Sequence, residues 1–270
     1  MTTTIVTALL QIGRDELDRS ASYYLRSLER LAAIDAPMVL YVSPKLVERV
    51  ERLRAGLPTQ VRALDIDELE RLPEFSAMDA IRTSSAWFGQ SPWLEQSPQA
   101  RLPHYLSLIH HKPQMMRSVV DDDPFSSRRF LWLDAGIFSN SLYARFGRWV
   151  EQRWLPERGL LVFSYRTHLS ADGEEVNGMS ARFFCEECGC SPVRFWVRAG
   201  LIAGNKDDFH WLAQAFTARH REALRHGELG TEENLLTVLA HRHPQRFHRQ
   251  KLWFHRWSVG VARQALRARR

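Results

Sequence analysis

Short apolar runs at residues 4–10, 38–42, 61–64, 130–133 and 160–164, rich in β-branched or aromatic side chains, punctuate the first part of the chain. Runs of this length between polar and turn-forming residues read as strands. Between the first two, Leu17, Tyr24, Leu25, Leu28 and Leu31 fall at helical spacing among charges, which predicts a helix over 15–33. A second helix is expected over 44–53, ahead of the third strand. This βαβαβ order predicts an α/β protein with right-handed crossovers and a mainly parallel central sheet, with helices on both faces.

The rhythm breaks at 84–103, where Trp87, Phe88, Pro92, Trp93, Pro98 and Pro103 follow neither period, so a functional loop is expected there. Helical spacing returns over 103–120 with Tyr105, Leu108, Ile109 and Met115 on one side and Lys112 near the middle, and Pro113 predicts a kink or restart. Residues 182–198 alternate loosely between apolar and polar. Residues 200–204 read as a strand-to-turn transition, and a long helix is expected over 207–226. Gly230 and Thr231 supply a break and an N-cap for a helix through Glu232, Glu233 and Leu239, ended by Pro244. No repeat or low-complexity linker interrupts the chain, so residues 1–270 are expected to form a single domain.

Hydrophobic residues make up 44% of the 270 positions and charged ones 25%, which excludes wholesale disorder. The net charge of +6 favours acidic partners: nucleoside diphosphates, anionic lipid head groups or nucleic acid. The first residues lack the basic and long apolar segments of a secretion signal, and nowhere do roughly eighteen apolar residues run together. A cytoplasmic protein is therefore expected, with any membrane contact peripheral. Cys185, Cys188 and Cys190 form a poor disulfide framework. They contain a single C-x-x-C pair, to which His168 would have to add a fourth zinc ligand, and reduced thiols are the simpler expectation.

The strongest local signal is the strand-like run ending at Leu133, followed at once by Asp134, Ala135 and Gly136. Ligands of open α/β sheets gather outside the carboxyl ends of strands, so Asp134 stands where a diphosphate would dock. An Asp at a strand end also serves as a turn former or N-cap, and the two readings stand side by side.

Three segments in order, TIVTALLQIGR at 4–14, FLWLDAGI at 130–137 and GTEENLL at 230–236, resemble the bacterial HtrL/YibB family. The resemblance implies a GT-A-like, Rossmann-like glycosyltransferase, in which a D-x-D-type motif after a central strand holds a divalent metal against a nucleotide-sugar diphosphate. It implies nucleotide contacts at Thr7 and Arg14 and places Asp134 on the metal motif, with Mn²⁺ or Mg²⁺ as the cofactor. Gly136 stands where the motif's second carboxylate belongs, leaving one carboxylate for the metal.

Sugar transfer needs charge neutralisation on the leaving diphosphate and, for inversion, a base at the acceptor hydroxyl. Lys112 and Arg14 are candidate phosphate contacts, and Lys251 or His255 could close over the leaving group, with His255 a second candidate metal ligand. For Lys112 a solvated helix lysine is the simpler reading. Glu232 and Glu233 sit where a helix start favours carboxylates on structural grounds alone, and also where a general base is drawn in some inverting GT-A enzymes. Glu232 ranks ahead of Glu233. Trp87 and Trp93 are candidates for stacking on acceptor sugars.

The segment 245–270 interleaves aromatic and cationic residues, as membrane-surface helices do, and from residue 234 onward there is no acidic residue. A core-packed terminal helix fits the same pattern. The reading that joins these features is a glycosyltransferase acting at the cytoplasmic face of the inner membrane on a lipid-linked glycan of lipopolysaccharide or capsule, with no nucleic-acid partner. The alternatives are a basic nucleic-acid-binding protein, whose tail would track phosphates and stack bases, or an inactive scaffold of the same fold.

Overall fold

A computed structural model describes residues 2–13, 21–137 and 156–251. Strand β1 (Thr3–Leu9), helix α1 (Ala21–Ala32), strand β2 (Met38–Val42), helix α2 (Val47–Leu53) and strand β3 (Thr59–Ala63) realise the expected βαβαβ opening. Helices α3 (Ile66–Glu70), α4 (Phe75–Arg82), α5 (Ser85–Phe88), α6 (Pro98–Arg101), α7 (Pro103–His110) and α8 (Lys112–Asp122) follow, and β4 (Arg129–Leu133) returns to the sheet. Beyond it come β5 (Leu160–Leu169), the small pair β6 (Glu175–Val176) and β7 (Met179–Ser180), α9 (Ala181–Cys188), β8 (Val193–Gly204), α10 (Lys206–Arg225), α11 (Glu232–Arg242) and β9 (Phe247–Lys251).

The main sheet has the order β3-β2-β1-β4-β8-β5-β9. Four of its six pairings are parallel, and β8 runs antiparallel to both β4 and β5. The fold class expected from the sequence is therefore present: α/β, mainly parallel, covered on both faces. Period-two alternation explains the layers. Ile5, Leu40, Leu131 and Leu133 meet Leu28 and Leu31 of α1 and Val50 of α2 on one face. Val6, Val39, Phe130 and Trp132 meet α8, α10 and α11 on the other.

From β1 the chain moves outward to β2 and β3 on one side, while β4 joins on the other side. The strand order thus reverses between β1 and β4, and a crevice opens outside the carboxyl ends of two strands whose connections diverge. Asp134 is the first residue beyond β4 at that point.

The structure corrects several expectations. Residues 84–103 are no open loop: α5 and α6, each a single turn capped by Ser84 and Ser97, bury Trp87 and Ala100, and the turn between them buries Leu94, in a third cluster with Leu106 and Leu229. Four-residue helices are too short to display a period. The loosely alternating residues 182–198 divide between two elements, α9, which is capped by Gly189 at a φ of +71°, and β8, which begins at Val193. The described start of the basic tail is β9, an edge strand parallel to β5, rather than a helix. Of the tail's described residues Phe247 is buried and the cations stay exposed while lying over rings of the same surface: Arg249 lies 3.6 Å from the Phe195 ring centre and Arg246 5.4 Å from that of Trp211.

Candidate functional site

Three segments far apart in sequence converge at the β4 rim. The helical run broken before Pro113 restarts as α8, which puts Lys112 at a helix start facing the sheet. Asp134 follows Leu133 on the α8 side, two residues after Trp132, and its turn closes through the Ile137 N–H donating to the Asp134 carbonyl at 2.9 Å. Glu232 opens α11, whose capping box joins Thr231 to Asn234. Gly230 is required there, since a Cβ would meet the Asn234 side chain at 2.6 Å.

The Lys112 ammonium donates to Glu232 Oε1 at 2.6 Å and contacts Asp134 Oδ1 at 2.8 Å. Trp132 Nε1 also donates to Asp134 Oδ1, at 2.8 Å, and Lys112 Nζ stands 5.7 Å from the Trp132 ring centre. The side chains of Lys112 and Glu232 are 7% and 10% exposed, whereas that of Asp134 is 39% exposed. The outward-facing member of the triad is therefore Asp134. Lys112 is not the solvated helix lysine that its sequence context favours.

Burial works against the Lys112 charge, yet Asp134 and Glu232 outweigh it and hold the ammonium more firmly protonated than an ordinary lysine. Burial is also the main influence on Glu232 and, against the pull of Lys112, pushes its carboxyl up to about 7.

Glu233 points elsewhere. Its Oε2 accepts from Trp196 Nε1 at 2.8 Å, and its Oε1 accepts from the Ala199 N–H at 3.1 Å and makes an ionic contact with Arg198 at 3.2 Å. The Ala199 N–H is free to bond it because β8 carries a register shift opposite Val162 and Phe163, a bulge that turns the strand beside the site. Arg198 is also hydrogen-bonded to Tyr165. Sequence reasoning missed Arg198, Tyr165, Trp132 and Trp196. The only sequence signal was Trp132 two residues before Asp134, since strand alternation puts i and i+2 on one face.

Other expected site residues are dispersed. Thr7 shares a strand face with Ile5, opposite the triad, and is fully buried. Lys251 ends β9 on the same rim, three strand positions or about 14 Å from Asp134. Trp87 is 2% exposed and donates to the Leu229 carbonyl at 3.0 Å, so it cannot present a face to an acceptor. Trp93 is 41% exposed, and its Nε1 donates to Glu175 Oε1 at 2.6 Å. Arg14 and His255 lie outside the described residues.

The triad does not fit a resident divalent ion. Asp134 Oδ1 and Glu232 Oε1 both accept from Lys112, and among the described residues no three His, Cys, Asp or Glu side chains could hold a metal. Gly136 adds no carboxylate, and a Cβ there would stand 3.2 Å from the Tyr24 ring. Cys185, Cys188 and Cys190 are free thiols, with burial raising Cys185 and Cys188. His168 is exposed. Among the described residues no helix is long and apolar enough to cross a membrane.

A family model described as bacterial protein of unknown function (HtrL_YibB) matches residues 1–259. The chain belongs to the HtrL/YibB family. Protein HtrL of Escherichia coli (strain K12), a curated relative, is 29% identical over 145 residues. That match spans about half of this HtrL/YibB chain and about half the length of the relative. Among solved structures, mouse xyloside xylosyltransferase 1 in its apo form aligns with a TM-score of 0.46 at 12% identity, covering 93% of this chain and 85% of that one. CMP:2-keto-3-deoxy-manno-octonic acid synthetase complexed with CTP aligns with a TM-score of 0.43 at 9% identity, covering 93% and 90%. Likeness at these scores leaves the function to be argued from the site.

Proposed function

We propose that this chain is a GT-A-like glycosyltransferase that moves a sugar from a nucleotide-sugar to a bacterial surface-glycan acceptor. One observation carries the reading: a buried ion triad from three distant segments stands at the reversal of strand order, with its most exposed carboxylate facing the rim. Open α/β sheets bind phosphorylated ligands at that position. Asp134 and Lys112 act here on the donor side. Glu232, half protonated near neutral pH, is matched to the work of a general base. Glu233 serves as a strut, because both its oxygens are committed to β8.

The acceptor is a lipid-linked glycan of lipopolysaccharide or capsule, approached at the cytoplasmic face of the inner membrane through the basic segment 245–270. Deleting the residues after Ser258 then weakens binding to anionic vesicles, and unchanged binding removes the anchor from the proposal.

A thermal-shift screen of nucleoside diphosphates and nucleotide-sugars, with and without Mn²⁺, tests the donor, since a ligand of the native state raises its stability. Stabilisation by one nucleotide class that D134N abolishes supports the reading. Absence of any nucleotide effect, together with steeply salt-dependent DNA or RNA binding, replaces it with the basic binding module.

A further inference from the structure

We propose that Lys112 is the built-in cation of this rim: its ammonium stands between Asp134 and Glu232 where a divalent ion would bridge them, and no metal resides there in the native protein. One nitrogen reaches oxygens of both carboxylates, at 2.8 Å and 2.6 Å. Those carboxylates come from a strand end and a helix start that have no contact in sequence, so their convergence is a property of the fold. Each brings a carboxylate oxygen to one point, which is the first requirement of a hard-cation site.

Two physical costs oppose a lysine at this position. Its side chain is 7% exposed, and an ammonium buried without partners is strongly disfavoured. It also opens α8, where the helix dipole repels positive charge. The facing carboxylates offset both costs.

The surroundings are built for the ammonium. The Trp132 ring stands 5.7 Å from Nζ, while its N–H fixes the Asp134 oxygen that Lys112 uses. Where a second motif carboxylate would add a ligand, Gly136 gives none, with Tyr24 against it. Three carboxylates, Asp134, Glu232 and Glu233, face the two cations Lys112 and Arg198, so removing Lys112 leaves Asp134 and Glu232 side by side without the cation that bridges them.

Mn²⁺ titration of the full chain, followed by electron paramagnetic resonance, tests this directly. Wild type is expected to take up no stoichiometric Mn²⁺. K112A is expected to take up one ion per chain and to melt at a higher temperature in its presence, and K112A/D134N to lose both effects. Stoichiometric uptake by wild type that D134N abolishes overturns the proposal, as does a folded K112A that binds none. K112S replaces K112A if the latter does not fold, judged by circular dichroism. The titration contains no nucleotide, so its outcome is separate from that of the donor screen.

Discussion

At the scale of single residues, Thr7 and Glu232 show how far side-chain chemistry depends on which face of an element it occupies. Thr7 resembles a nucleotide contact by position, but its hydroxyl is fully buried with no hydrogen-bond partner among the described residues. A buried hydroxyl without a partner costs about 1–3 kcal/mol. T7V keeps the shape and removes that cost, so it is expected to raise stability by about 1 kcal/mol in urea unfolding. Nucleotide affinity should be unchanged; a weakened affinity would restore Thr7 to the site. For Glu232 the carboxyl sits at about 7 in the fold and near the ordinary carboxylate value unfolded. The folded state then holds the extra proton, so this group's contribution is full below the unfolded value and disappears as pH rises through about 7. E232Q removes that dependence. In the proposed transferase it also lowers turnover by about 100-fold or more, the usual contribution of a general base, while leaving donor binding nearly intact. Equal losses in both would make Glu232 a structural partner of Lys112.

His110 and His220 titrate in the opposite sense. Their rings stack 4.3 Å apart beside Phe216, and burial depresses them to about 4 and about 2 respectively, assisted by Lys112 for His110 and by His110 and Arg221 for His220. Unfolded histidines take up protons near 6.5 and these do not, so stability is present above that value and falls as pH drops toward 4. The loss expected is about 3 kcal/mol for each ring by pH 4, or about 6 kcal/mol for the pair. H220F, which keeps a ring against Phe216, is expected to reduce the slope of stability between pH 6.5 and 4, measured by denaturant midpoint. An unchanged slope would assign the acid sensitivity to other groups.

Elements were legible in the sequence in proportion to their length and period. β1, β2 and β4 are short apolar runs between polar punctuation, and α10 spans 20 residues with an Asn205 capping box, so these read correctly, whereas β3, with only Val61 and Ala63 apolar, starts two residues before the expected run at 61–64. The break between α7 and α8 was legible from Pro113. Helices α5 and α6 were not, because four residues make a single turn and their burial depends on Leu106 and Leu229 from elsewhere. Trp87 therefore looked like a sugar platform when it is the centre of a small core. W87A is expected to cost about 3–5 kcal/mol through the cavity and the unpaired Leu229 carbonyl. The fall in denaturant midpoint checks this, and loss of acceptor affinity without loss of stability would reverse the assignment. The site itself was half legible. Asp134, Lys112 and Glu232 were each visible as candidates, but no sequence spacing shows that Lys112 lies between the two carboxylates, which are 98 positions apart in the chain.

Across the whole molecule, the reversal of strand order decides where a ligand can act. β1 and β4 run parallel, but their neighbours lead away in opposite directions, so the rim between them is not closed by a crossover from one side. Asp134 guards that opening, and α11 and the β8 bulge flank it through Glu232 and Glu233. A ligand held there tightens the end of β4, the bulged middle of β8 and the first turn of α11 together, since the Asp134 N–H donates to the Gly200 carbonyl and the Ala199 N–H donates to the Glu233 carboxylate. Edge strands β3 and β9 lie two or more strands away and have no reason to respond. Hydrogen exchange with and without the nucleotide found by thermal shift is therefore expected to show slower exchange at Ala199, Asp134 and the start of α11, with β3 unchanged. Protection concentrated instead along β9 would move the binding surface to the basic edge and favour a polyanion partner over a nucleotide-sugar.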